Sequence, residues 1–189
     1  MAERKEKLMA LGAEALADLL LEKGARHQDI DDSIDRIIAT ADEKIKRFKA
    51  KVSGLRKMSR FVDYKHSYAF SEELGEILDE LCESNADSET GLQLISSFME
   101  TDETVFECCD DSSGMIDMTY SDSAARVFAK YAADCKNKEF IETLLLRLLE
   151  KDDYGVRTGL LDSAGKFLPK KNLRHMFEFY RDKLVVLDT

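Results

Sequence analysis

Apolar residues recur at spacings of three and four along almost the whole chain, and that regularity dictates what it can fold into. Ile30, Ile34, Ile37 and Ile38 follow it, as do Ile45, Phe48, Val52 and Leu55. So do Phe70, Leu74, Ile77, Leu78 and Leu81, and the strongest stripe, Phe140, Ile141, Leu144, Leu145, Leu148 and Leu149. Residues at these spacings share one face of an α-helix, whereas a half-buried strand needs strict alternation. One proline and nine glycines among 189 residues leave few interruptions. The pattern predicts an all-α fold, an irregular array of about 8–10 helices with helical hairpins stacked in a solenoid-like manner.

The ends of the stripes set expected boundaries. Leu8, Leu11, Ala15, Leu16, Leu19 and Leu20 form a first face that ends at Gly24, read as a C-cap. Asp29, Asp31 and Asp32 suit a helix start, and Ser71 with Glu73 reads as another. Pro169 fits the first turn of a last helix carrying Leu173, Met176, Phe177 and Tyr180. Only Leu184–Leu187 reads as extended. Two segments look related: Leu74–Leu81 aligns with Ile141–Leu148, and Thr90-Gly91-Leu92 with Thr158-Gly159-Leu160. Either each is one helical hairpin of a repeat, or the match is the period that all amphipathic helices share.

Charge is segregated. Residues 41–66 hold nine Lys or Arg against three acids, while residues 67–125 hold sixteen Asp or Glu and no Lys or Arg. Surfaces ordinarily intersperse both signs. The map divides the chain into N-terminal helices with a basic helix, residues 1–66, and a helical-hairpin array with an acidic first half, residues 67–189. Three explanations are open for the base-free stretch. It faces a basic partner, whose approach the field would speed, the basic helix over 41–60 covers it, or it serves solubility alone. Such a field repels nucleic acid. Glu72, Glu76, Asp79 and Glu83, at spacings of four, three and four, fall on one polar helix face and are the leading partner-binding candidates, with Asp110 and Asp111 beside them.

Catalytic and metal signatures are missing. His27, His66 and His175 have no metal-ligand spacing. There is no phosphate-binding glycine loop and no nucleophile elbow. Cys82, Cys108, Cys109 and Cys135 contain no C-x-x-C pair and read as reduced thiols. The turns Asp110-Asp111-Ser112-Ser113-Gly114 and Asp152-Asp153-Tyr154-Gly155 cluster oxygens but miss the calcium-loop pattern. Capping of the following helix explains such residues better. No apolar run reaches the ~20 residues of a membrane-spanning helix, and the charged start Met1–Lys7 carries no export signal. The expected location is cytoplasmic.

Several stretches together resemble a known family. Leu11-Gly12-Ala13-Glu14-Ala15-Leu16-Ala17-Asp18-Leu19-Leu20-Leu21 is one. Arg60-Phe61-Val62-Asp63-Tyr64 is a second, Val105-Phe106-Glu107 through Gly114 a third, and Asp153-Tyr154-Gly155 with Gly159-Leu160 a fourth. In this order they resemble an uncharacterised bacterial family, domain of unknown function 6880. The lysine-rich 41–60 segment and the long acidic stretch depart from its pattern. The resemblance implies an all-helical fold and no activity or catalytic residue. The expected function is therefore a non-enzymatic protein-binding module without cofactor or metal. Its sharpest form is an acidic inhibitor of DNA-mimic or anti-CRISPR type, which occupies the basic nucleic-acid-binding surface of a partner, such as a ribonucleoprotein complex, without touching nucleic acid itself. A self-assembling adaptor, a homo-oligomer in which the basic helix of one copy docks the acids of another, is the alternative. A metal-dependent enzyme using the acidic turns ranks below both.

Overall fold

The computed structural model describes the backbone of residues 2–187 and the side chains of residues 2–181. It is all-α, 75% helical, with no strand among the described residues. By its own packing the chain falls into two compact units, Met1–Lys44 and Ile45–Thr189. This boundary lies upstream of the charge-based division after residue 66.

The first unit contains α1 (Ala2–Met9), α2 (Ala13–Gly24), α3 (Gln28–Ile38) and the opening of α4 (Ala41–Leu55). The stripe read as one face from Leu8 to Leu20 is broken at Gly12, whose φ of 83° takes it out of the helical region. Gly24 does end α2, but not as a left-handed cap. Its missing side chain lets α2 and α3 meet: a Cβ there would lie 3.0 Å from Asp31 Oδ1 and 3.2 Å from Ile34 Cδ1. Leu19, Leu20, Leu21, Ile37 and Ile38 of this hairpin are exposed. Thr40 and Glu43 cap α4 reciprocally. The Glu43 carboxylate accepts from Thr40 N at 2.8 Å, and Thr40 Oγ1 accepts from Glu43 N at 3.3 Å.

The second unit continues α4 and adds α5 (Tyr64–Glu83), α6 (Ser88–Met99), α7 (Asp102–Glu107) and α8 (Met115–Met118). A π-helical segment (Thr119–Ala124) runs into α9 (Ala125–Asp134), followed by α10 (Lys138–Glu150), α11 (Gly159–Ala164) and α12 (Lys170–Leu187). The stripes read from sequence line its core: Phe48, Leu74, Leu81, Leu92, Ile95, Phe98, Phe128, Ile141 and Leu145 are each fully buried. Tyr120, in the π segment, is buried with them. Its ring stacks on Phe98 at 5.0 Å, and its hydroxyl meets Thr101 Oγ1 at 2.7 Å. Two boundaries differ from expectation. α5 begins at Tyr64, capped by Asp63, seven residues before Ser71; Ser71 is mid-helix, its hydroxyl donating to Tyr68 O at 2.7 Å. Leu184–Leu187 is not extended but continues α12.

The two Thr-Gly-Leu segments share a packing role. A Cβ on Gly91 would lie 2.3 Å from the Tyr131 ring of α9, and one on Gly159 would lie 2.3 Å from the Ser121 carbonyl of the π segment. Both glycines thus let a helix press onto the π–α9 stretch. The hairpins around them close differently. α5 packs on α6, whereas α11 packs on α9 and α10 packs on α12 and α6.

Candidate functional site

α5 is amphipathic in its Phe70–Glu83 half. Leu74, Ile77, Leu78 and Leu81 face the core, and Glu72, Glu76, Asp79 and Glu83 are all exposed. The four acids lie on the outward face, as their spacing requires. Tyr68 continues the row toward the N-terminus: its hydroxyl donates to Glu72 Oε1 at 3.0 Å, and that hydrogen bond raises the phenol above its ordinary value.

The fifth acid of this region, Glu80, points inward and is 2% exposed. Lys51 and Arg47 of α4 approach its carboxylate at 3.0 and 3.9 Å. A buried carboxylate without such partners would be costly. Further on, Arg56 donates to the Ser97 hydroxyl at 2.9 Å and pairs with Glu100 at 3.3 Å, while Arg147 reaches Glu100 at 3.1 Å. Part of the basic segment therefore neutralises acids of 67–125, Glu80 and Glu100 among them.

Asp110 and Asp111 sit elsewhere. Val62 pairs with Cys109 in a short parallel bridge: Val62 N donates to Cys108 O at 2.8 Å and Asp110 N to Val62 O at 2.9 Å. This holds the acidic turn beside the N-terminal end of α5, roughly 12 Å of helix rise before Glu72. Asp111 caps α8, accepting from Ile116 N at 3.0 Å and Asp117 N at 2.7 Å. Asp110 accepts from the Ser112 hydroxyl and from Ser112 N, and the hydroxyl holds its carboxyl below the usual range. Gly114, at φ 72°, supplies the left-handed turn. The structure thus groups four of the six candidates on α5 and engages the other two in backbone hydrogen bonds.

Among the described residues, no three His, Cys, Asp or Glu side chains come together as a metal site. No helix of the described residues is long and apolar enough to cross a membrane. The four thiols are free. Burial pushes Cys109 up to about 11.

A family model described as a family of unknown function, DUF6880, matches residues 3–183. The chain belongs to DUF6880. No curated protein and no solved structure matches it. Several segments that carried the resemblance meet in the fold of this DUF6880 chain. Val62 of the second segment bridges to Cys109 of the third. Tyr154 of the fourth stacks on Phe106 of the third with ring centroids 4.9 Å apart. Arg157, three residues past Tyr154, grips Asp102 through two hydrogen bonds, Nε to Oδ2 at 2.8 Å and Nη2 to Oδ1 at 2.5 Å, and donates to Leu148 O at 2.8 Å. Both charges are at least 97% buried.

Sequence reasoning missed this ion pair and the Asp63 cap. Asp63 precedes Tyr64-Lys65-His66 in a way that announces a helix start, but the apolar stripe begins only at Phe70. The pair joins residues 55 apart, and nothing local marks it.

Proposed function

We propose that this DUF6880 chain is a non-enzymatic protein-binding module whose contact surface is the outward face of α5. The observation that carries the reading is the row Glu72, Glu76, Asp79 and Glu83: four exposed carboxylates on one helix face, within fifty-nine residues that contain no base. The partner it fits is a protein with a basic surface. Desolvated carboxylate–ammonium contacts set its register, and the field of the row speeds encounter. In its sharpest form the module acts in the cytoplasm as an inhibitor of DNA-mimic type. It occupies the basic nucleic-acid-binding groove of a partner complex, with its carboxylates where phosphates would lie. No cofactor or metal enters this mechanism. Asp110 and Asp111, used by the turn, contribute by shaping the surface near the start of α5.

The test is competition. The isolated protein should leave labelled DNA and RNA unshifted in an electrophoretic assay. Added to the nucleic-acid complex of a host protein that it captures, it should release the nucleic acid. Direct binding of the chain to nucleic acid, or a ternary complex with nucleic acid retained, refutes the inhibitor form.

The same row admits self-assembly through α4 of a second copy. The ion pairs at Glu80 and Glu100 show that α4 and Arg56 can engage such carboxylates. A concentration-dependent, salt-sensitive dimer in sedimentation would favour that second reading.

A further inference from the structure

A cleft of about 320 Å³ lies between residues 58–62 and the first half of α5. Phe61, Ala69 and Phe70 give it an apolar lining, with Arg60, His66 and Glu73 around them. Phe61, in the wall of the cleft, is 60% exposed, so its ring is open to an incoming side chain. The volume sits at the low end of the roughly 300–1,000 Å³ typical of ligand sites. It suits one bulky side chain better than a cofactor.

The position of the cleft is informative. Ala69 stands in its wall, and Ala69, Glu72, Glu76, Asp79 and Glu83 follow one another at steps of three, four, three and four. That alternation keeps one seam along a helix, the spacing by which a second helix packs lengthwise. The cleft therefore opens at the head of the acidic row. From Ala69 to Glu83 the seam runs roughly 21 Å, about four turns.

Resting on the reading of α5 as a contact surface, we infer that its occupant is a basic amphipathic helix of a partner protein. One bulky apolar side chain seats in the cleft, and lysines or arginines at three–four spacing follow along the four carboxylates. Charge complementarity selects a basic partner, and the cleft selects the anchor. Apolar anchors in pockets, rimmed by charges, carry most of the energy in such interfaces.

The inference is tested with the full chain and two fluorescent synthetic helical peptides of about five turns. Both carry lysines at three–four spacing. One ends in Phe, and the other has Ser in its place. Anisotropy titration should give the Phe peptide about 10- to 100-fold higher affinity, the gain from burying one aromatic side chain. Ala69→Trp, which fills the cleft from an exposed helix position, should erase that difference and leave the Ser peptide unchanged. Phe61→Ser should erase it too, and circular dichroism melting checks that both variants fold. Equal binding of the two peptides, with both lost on Lys substitution of the four acids, overturns the cleft as a seat and leaves α5 as the contact surface. A Phe preference that survives both cleft variants overturns the seat as well. No binding of either peptide refutes both.

Discussion

Gly91→Ala and Gly75→Ala are the same substitution on neighbouring helices, and the structure gives them opposite signs. Inside a helix, Ala is favoured over Gly by about 1 kcal/mol. At Gly75 nothing lies within 4 Å of the added methyl, so that gain is realised in full. At Gly91 the methyl would lie 2.3 Å from two carbons of the Tyr131 ring. Tyr131 is 6% exposed, and its hydroxyl donates to Leu81 O at 2.9 Å, so the ring cannot swing aside freely. Overpacking costs about 1–3 kcal/mol, and a Tyr131 hydroxyl displaced from its acceptor in the interior about 1–3 more. After the propensity gain, the net loss is about 3 kcal/mol. For a chain of this size each kcal/mol moves Tm by about 2–4 °C. Gly91→Ala should therefore lower it by about 6–12 °C, and Gly75→Ala should raise it by about 2–4 °C. Circular dichroism melting measures both. In a Tyr131→Phe background the hydrogen bond is already gone, so Gly91→Ala should cost less, a coupling that a double-mutant cycle reads directly. A Gly91→Ala protein melting at or above the parent would refute the close approach of α6 to α9.

Three further outcomes follow from the geometry. Asp102→Ala strands the Arg157 guanidinium in the interior and should cost about 3–5 kcal/mol in denaturant unfolding, whereas Asp102→Leu combined with Arg157→Met should cost much less. Asp111→Ala removes both acceptors at the start of α8 and should cost about 1 kcal/mol, seen as a shift in the denaturation midpoint with helix content retained. Hydrogen bonds from His66, Thr90 and Ser112 hold Asp63, Asp87 and Asp110 below the ordinary 3.8, so their contribution is full above that value and is lost as pH falls through the lower folded-state values. Asp152, which burial raises, works in the opposite sense. Three groups against one should make Tm drop below pH 3.8, and Asp87→Asn should make the drop shallower.

The helices of the second unit were legible in the sequence because their stripes line its core, and a buried stripe leaves a 3.6-residue period. Leu74, Ile77, Leu78 and Leu81 were assigned to the core face from spacing alone, and all are buried. That same spacing placed Glu72, Glu76, Asp79 and Glu83 on the outward face. What spacing could not show is whatever depends on residues far apart in the chain. Arg157 reads locally as one more surface charge, yet it is 3% exposed because Asp102 and Leu148 O satisfy it. Glu80 sits among look-alike acids and turns inward because Lys51 and Arg47 wait for it. Gly24 read as an ordinary helix end, and Gly91 only as one position of a segment match. Their role is to let another helix approach, a fact carried by Ile34 and Tyr131 rather than by the glycines themselves.

The central claim is that the outward face of α5 is a contact surface and not merely solvated charge. It is tested most directly by changing Glu72, Glu76, Asp79 and Glu83 together to Lys and measuring affinity, from low salt to 0.5 M, for the basic protein captured by the parent chain. Screening shortens the field to about 8 Å at physiological ionic strength. The parent's affinity should therefore fall steeply with salt. The reversal should abolish binding, while four equivalent substitutions among exposed acids outside α5 leave it nearly intact. An affinity indifferent both to 0.5 M salt and to the four-residue reversal would contradict the account and favour the reading in which the basic 41–60 helix covers the acids.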